Sequence, residues 1–95
     1  MHVVIRVITS EADRRDELES MLREFYKTAD CSVLVGRDVY RRDRIVVTEM
    51  WSSVEKLQSS RTSTSFQTIN ALIIASEVTL EGEGDETDKL TGVYN

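Results

Sequence analysis

Residues 45–51, Ile-Val-Val-Thr-Glu-Met-Trp, decide the fold that this sequence encodes. The run opens with three β-branched apolar residues, which favour a strand, and it ends in Glu49 and Trp51, the only tryptophan of the chain. Ser52-Ser53-Val54-Glu55 follows directly and has the pattern of a capping box, which starts a helix. A strand therefore gives way to a helix at this point, and any pocket at the junction would contain Trp51.

Working outward from this junction, the pattern predicts a further strand on its N-terminal side, at residues 31–40, joined to residues 45–51 by the polar turn 41–44. Gly36 in that strand indicates a bulge or a close approach by another backbone or a ligand. Residues 2–9 predict a first strand. A capping box at Ser10 predicts a helix with an apolar stripe at helical spacing, formed by Leu18, Met21, Leu22, Phe25 and Ala29.

The helix after Trp51 is predicted to be broken. The polar run 59–65 interrupts it, and a second capping box from Thr64 to Gln67 starts a segment that carries Phe66, Ile69 and Leu72. Residues 77–80 predict a fourth strand. The element order is then β-α-β-β-α-β, which is the ferredoxin-like α+β arrangement with an antiparallel sheet and helices on one face.

The first strand is apolar on both of its faces, so the sheet face without helices needs a cover. We therefore predict a homodimer that packs sheet to sheet. Residues 1–80 form the predicted domain. Residues 81–95 are rich in glycine and acids, and they are predicted to be a flexible tail or an arm onto the partner subunit.

The composition of the chain argues against several classes of function. A chain of 95 residues suffices for one domain, and its net charge of −5 argues against nucleic-acid binding. No apolar run is long enough for a membrane span and no secretory signal is recognised, so we expect a cytoplasmic protein that does not bind membranes. Cys31 is the only cysteine and His2 the only histidine, so no metal site is predicted. Motifs for nucleotide binding or for a catalytic triad are also lacking, which leaves a pocket that works by placement and desolvation.

Three residues are candidates for binding a substrate: Glu49, Trp51 and Asn70. Trp51 either closes the core or stacks against a flat ligand. Glu49 shares its strand face and is either an acid paired with Arg6 or Arg37, or a proton acceptor. Asn70 is the polar residue of the second helical segment that could reach a pocket between helix and sheet.

The acid-x-Trp strand end, the capped helix after it, and the Ser65-Phe66 pair about fifteen residues later resemble the antibiotic biosynthesis monooxygenase (ABM) domain family of the dimeric α/β barrel superfamily. The resemblance runs over residues 3–80. It implies a small homodimer that oxidises polycyclic phenols or quinols with molecular oxygen and without a cofactor, while a haem-degrading branch of the superfamily binds haem.

Two positions depart from the family pattern. The pocket asparagine that such monooxygenases carry four residues before the tryptophan corresponds to Val47, and a helical histidine corresponds to Ser60. In the haem-degrading branch, a second tryptophan and the ligating histidine would fall near Ser60 and Asn70, which argues against haem. The sequence thus leaves three functions open: a cofactor-independent monooxygenase acting on an aromatic or quinol-like molecule, a non-catalytic ligand-binding or assembly module of the same superfamily, or a purely structural dimer without a pocket.

Overall fold

The computed structural model describes residues 1–84 and shows a four-stranded antiparallel sheet with helices on one face. The strands are β1 (His2–Thr9), β2 (Cys31–Arg37), β3 (Arg44–Trp51) and β4 (Ala75–Glu83). The helices are α1 (Arg15–Thr28), which follows one 3-10 turn at Ala12–Arg14, α2 (Val54–Arg61) and α3 (Thr64–Asn70). The strand order is β2-β3-β1-β4. The predicted ferredoxin-like α+β fold is confirmed, including the break between α2 and α3.

Strand β1 lies in the middle of the sheet and sets the register of both neighbours. Val4 pairs with Glu49 of β3, and Arg6 pairs with Val47. On its other side the register to β4 shifts between Ile5, which pairs with Leu80, and Arg6, which pairs with Val78. This irregularity at Thr79 is a β-bulge. Through it, β4 places Val78 beside Arg6 on the face that the helices cover.

The ends of the predicted elements are corrected where side chains compete for backbone amides. Strand β2 stops at Arg37 rather than at Tyr40, because Asp38 Oδ1 accepts from the amides of Tyr40 (2.7 Å) and Arg41 (3.1 Å) and turns the chain. The predicted bulge at Gly36 is wrong, since the register between β2 and β3 is regular through that residue.

The helix caps are also shifted. Ser53 Oγ accepts from the amide of Lys56 at 3.3 Å, and Ser63 Oγ accepts from the amide of Phe66 at 3.2 Å, so each cap lies one residue from its predicted place. Ser10 does not cap a helix; its hydroxyl donates to the carbonyl of Glu11. A 3-10 turn therefore precedes α1.

Strand β4 continues to Glu83, three residues beyond its predicted end at residue 80. Ion pairs of His2 with Glu81 and Glu83 support this extension at the edge of the sheet, with nitrogen to oxygen distances of 2.8 and 3.2 Å. The flexible tail or partner arm predicted for the last part of the chain falls on residues 85–95, outside the described residues.

The core lies between the sheet and the helices. Its main cluster is fully or almost fully buried and contains Ile8, Leu18, Leu22, Ile45, Val47 and Ile69. A smaller cluster of Val4, Trp51 and Leu57 closes the end where β3 meets α2. Within residues 1–84, none of the helices is long and apolar enough to cross a membrane.

Candidate functional site

A buried carboxylate with three hydrogen-bonding partners stands at the end of β3. The side chain of Glu49 is completely shielded from solvent. Arg61 binds it through both terminal nitrogens, with Nη1 donating to Oε2 at 3.1 Å and Nη2 donating to Oε1. The hydroxyl of Tyr26 donates to Oε2, and Trp51 Nε1 donates weakly to Oε1 at 3.4 Å. We call these four residues the Glu49 network.

The local fold explains why these side chains meet. Alternation along β3 turns Glu49 and Trp51 to the same face, toward the helices. Tyr26 comes from the last turns of α1, and Arg61 is the last residue of α2. Helix α2 ends at Arg61, and Ser63 caps the start of α3. At this break the guanidinium of Arg61 lies over the sheet and contacts Glu49.

A second guanidinium makes this region positively charged. The side chain of Arg6 is 6% exposed, and it donates from Nε and Nη2 to the hydroxyl of Ser76 at 3.3 and 3.1 Å. Arg6 and Arg61 both lie over the ring of Phe66, at 5.5 and 4.7 Å from its centroid. Two buried or half-buried cations are thus balanced by one buried carboxylate.

The phenol of Tyr26 is held in its protonated form. Burial raises the pKa of Tyr26 far above the ordinary value, and the negative charge of Glu49 raises it further. The hydrogen bond to Glu49 needs the phenolic proton, which agrees with that direction. Tyr26 therefore serves as a donor in this network rather than as a base.

An open groove of about 470 Å³ runs over Trp51 between the end of α1 and helices α2 and α3. Phe25, Ala29 and Trp51 supply its apolar surface. Its polar lining consists of Thr28, the charged residues Asp30, Glu55 and Lys56, and the hydroxyls of Ser59, Ser60, Ser63 and Ser65. We call this the Trp51 groove. A neighbouring depression of about 450 Å³ shares Phe25 with it.

A different cavity of about 370 Å³ lies on the other side of α2, against β1 and β4. Its apolar walls are Val4, Leu57, Phe66 and Val78, and its polar lining consists of Arg6, Gln58, Arg61, Asn70 and Glu81. We call this the Arg6 cavity. Arg61 contributes to this cavity and also binds Glu49, which in turn accepts from Trp51 of the groove.

The sequence matches no family model and, at a significant level, no curated protein. Solved structures do match. A protein from Chloroflexus aurantiacus J-10-fl, provisionally named an antibiotic biosynthesis monooxygenase, is 28% identical with a TM-score of 0.68, over 87% of this chain and 96% of that chain. A Caulobacter crescentus CB15 protein with the same provisional name has a TM-score of 0.76 at 14% identity, over 90% of each chain. A further antibiotic biosynthesis monooxygenase has a TM-score of 0.73 at 18% identity, over 90% of this chain and 99% of that chain. In structure, this chain is similar to several proteins that carry the antibiotic biosynthesis monooxygenase name.

Within this fold, the three residues predicted to bind substrate do not share one cavity. Glu49 and Trp51 are brought together, as their shared strand face predicts. Trp51 is 1% exposed, so it forms the floor of the groove, while Glu49 lies beneath the surface and lines none of the three cavities described above. Asn70 is exposed and lines the Arg6 cavity instead. Their role in binding a substrate stays a prediction.

The partner of Glu49 was predicted wrongly. Arg37 pairs with Glu19 on α1 at 2.6 Å, and Arg6 bonds to Ser76, while Arg61 forms the ion pair. Arg61 is the only basic residue in the polar run 59–65, and that was the one signal in the sequence that could have found it. Tyr26, which lies beside the apolar stripe of α1, belongs to the network as well.

Val47 and Ser60, the two positions that depart from the ABM pattern, do not offer a free polar group to a ligand. Val47 is fully buried in the main core cluster. The hydroxyl of Ser60 donates to the carbonyl of Leu57 at 2.8 Å, within its own helix. Val47 therefore offers no polar group to a ligand, and Ser60 offers only an oxygen that is already engaged as a donor.

Proposed function

We propose that this chain is a cofactor-independent monooxygenase of the ABM type that acts on an aromatic, quinol-like small molecule bound in the Trp51 groove. The observation that carries the proposal is the make-up of this groove. The apolar side chains of Phe25, Ala29 and Trp51 line the groove together with serine hydroxyls and a few charged groups, and the volume of about 470 Å³ is in the range of small-molecule sites. Such a surface suits a planar ring that carries hydroxyl groups.

The chemistry would come mainly from the substrate. In a balanced reaction, a phenol and dioxygen give a quinone and water: a ring CH para to the hydroxyl becomes a carbonyl, and the second oxygen atom leaves as water with two hydrogens. The ring is oxidised and dioxygen is reduced. The electron-rich phenolate is the form that gives up electrons, so a nearby positive charge that favours this form assists the reaction.

The residues at the site supply binding and electrostatics. Both oxygens of Glu49 already accept from Arg61, and the pKa of Tyr26 is raised, so neither group is placed to take the substrate's proton. The guanidiniums of Arg6 and Arg61 lie outside the groove, across α2, and their excess of positive charge over Glu49 can favour an anionic substrate only through a longer-range field. The hydroxyls of Ser60 and Ser63 already donate to backbone carbonyls, so Ser59 and Ser65 are the serines that can donate to the substrate's oxygens, and the aromatic floor excludes water from one ring face.

The test is oxygen uptake by purified protein with a panel of polycyclic phenols and quinols, each compared with its spontaneous oxidation. Ser59 is exposed and lines the groove, so Ser59→Phe fills it without removing a core residue. Ser52 is equally exposed and lines none of the three cavities, so Ser52→Phe is the matched control. We expect wild type and Ser52→Phe to turn over and Ser59→Phe to lose at least tenfold in rate. Folded wild-type protein that consumes no oxygen with any member of the panel would overturn the proposal.

The second candidate is a non-catalytic ligand-binding module of the same superfamily. It is favoured by Val47, which puts an aliphatic core residue where the resemblance implies a pocket asparagine, and by the engaged hydroxyl of Ser60. The same panel separates the two functions. Saturable binding of a ring compound without oxygen uptake supports the module, and product formation supports the enzyme.

We also propose that the protein is a cytoplasmic homodimer, whose two copies pack through the sheet face opposite the helices. Leu34 on that face is 57% exposed, and Val7, Val46 and Met50 on the same face are partly exposed. Apolar side chains of this kind gain by burial against a second sheet, at about 25 cal/mol per Å². A second copy offers a face of the same composition.

A further inference from the structure

We propose that the Arg6 cavity is a separate binding site for an organic anion, specifically for the carboxylate of a small aromatic acid held between Arg6 and Arg61. This site lies across α2 from the Trp51 groove. The inference concerns binding alone and goes beyond the proposed oxidation, so it stands or falls independently of turnover.

The guanidinium of Arg6 lacks part of its hydrogen bonding. Arg6 is more than nine-tenths buried and lines the cavity, yet its Nη1 is shielded from solvent and has no hydrogen-bond partner among residues 1–84. Its other two nitrogens share one neutral acceptor, the hydroxyl of Ser76. A buried charge without an anionic partner is costly, and a carboxylate would supply both the missing acceptor and the opposite charge.

The charges around the cavity are not balanced. Glu49 is engaged by Arg61, Tyr26 and Trp51, so one positive charge remains for Arg6. Burial lowers the pKa of Arg6 from its ordinary value, and repulsion from Arg61 lowers it further, while Tyr26 and Glu49 offset part of this. A bound anion would relieve both the desolvation and the repulsion.

The remaining acid of the cavity does not fill this role. Glu81 lines the cavity, but its carboxylate is bound to His2 Nε2 at 2.8 Å. The hydrogen bond to Glu81 raises the pKa of His2, which favours the charged imidazolium and balances the acid locally. Glu81 still repels an entering anion to some degree, and this makes it a useful site for a test.

The ring of Phe66 forms an aromatic wall of the cavity. Both guanidiniums stand over the ring of Phe66, and Val4, Leu57 and Val78 complete an apolar surface. The amides of Gln58 and Asn70 lie at the same cavity and can hydrogen-bond to ring substituents. A volume of about 370 Å³ accommodates one or two fused rings, which defines the ligand class as aromatic carboxylates.

In the described part of the chain, two other guanidinium nitrogens are buried without partners, Nε of Arg15 and Nε of Arg44. Neither residue lines one of the three cavities described here. Among these three arginines, only Arg6 combines an unpartnered nitrogen with a place on a cavity wall.

The experiment compares 2-naphthoate with the neutral 2-naphthamide by isothermal titration calorimetry on the full chain. We expect 2-naphthoate to bind at least tenfold more tightly than the amide. Arg6→Gln should remove this preference, and Arg37→Gln, which changes an arginine on the other edge of the sheet, should leave it intact. Equal affinity of wild type for the two ligands would overturn the proposal, and so would an equal loss in Arg37→Gln.

Two further variants keep the test decisive if Arg6→Gln does not fold. Glu81→Gln removes a negative charge from the cavity wall, so it should tighten 2-naphthoate at least threefold and leave 2-naphthamide unchanged. Ser59→Phe, which fills the Trp51 groove, should bind 2-naphthoate as wild type does. No gain in Glu81→Gln, or loss of 2-naphthoate binding in Ser59→Phe, would refute a site at Arg6. Oxygen uptake enters none of these readouts.

Discussion

Removal of Arg61 should destabilise the protein more than any surface charge change, because it leaves the buried carboxylate of Glu49 without its main partner. Losing one member of a buried ion pair costs about 3–5 kcal/mol. We expect the lower end, about 3 kcal/mol for Arg61→Met, since the arginine side chain is 24% exposed and Glu49 keeps Tyr26 and Trp51 as donors. At about 4–8 °C per kcal/mol for a domain of this size, the melting temperature should fall by about 12–24 °C.

The assay is thermal and urea unfolding followed by far-UV circular dichroism. Arg14→Met is the matched control, because Arg14 pairs with Glu17 on the exposed surface of the helical region and its loss should leave the melting temperature nearly unchanged. The double variant Glu49→Gln with Arg61→Met removes the unpaired charge but keeps an acceptor for Tyr26. It should regain at least about 1.5 kcal/mol relative to the sum of the single changes. A fall of less than about 4 °C in Arg61→Met, or additive single changes, would refute the account of the Glu49 network.

Three further predictions concern other parts of the chain. Burial raises the pKa of the Cys31 thiol to about 11, so at pH 8 it should react with Ellman's reagent far more slowly than a model peptide thiol; an equal rate would contradict this burial. The pKa of His2 is raised above 6.5, mainly by its hydrogen bond to Glu81, so its contribution to stability is complete below pH 6.5 and is lost as pH rises through the higher folded value. The difference in urea midpoint between wild type and Glu81→Gln should therefore shrink from pH 6 to pH 9, and a constant difference would argue against this pairing. Leu34→Asp places a charge on the proposed dimer face and should halve the mass measured by light scattering, from twice 10.8 kDa to 10.8 kDa, whereas a wild-type monomer would exclude the dimer.

The sequence predicted those features that depend on local periodicity. Strand β1 has the predicted limits, and the shared face of Glu49 and Trp51 follows from simple alternation along β3. The broken helix was recognisable because serines at 53 and 63 are strong caps, even though each cap was placed one residue away.

The predictions that were wrong concern features that depend on contacts beyond the local sequence pattern. Glu49 pairs with Arg61 because α2 ends close to the end of β3, and no local sequence pattern indicates where in space a helix ends. The extension of β4 to Glu83 depends on its pairing with β1 and on the ion pairs of His2 across the sheet. Strand β2 was overextended because the side chain of Asp38 competes with the strand for two amides.

The most direct test of the proposed function is the fate of isotopically labelled dioxygen during oxidation of a polycyclic phenol by protein treated with chelator and freed of flavin. The account predicts that one labelled oxygen atom enters the quinone product and the other appears in water, with the rate reduced in Ser59→Phe and unchanged in Ser52→Phe. Product without label, or incorporation that requires an added metal or flavin, would contradict it.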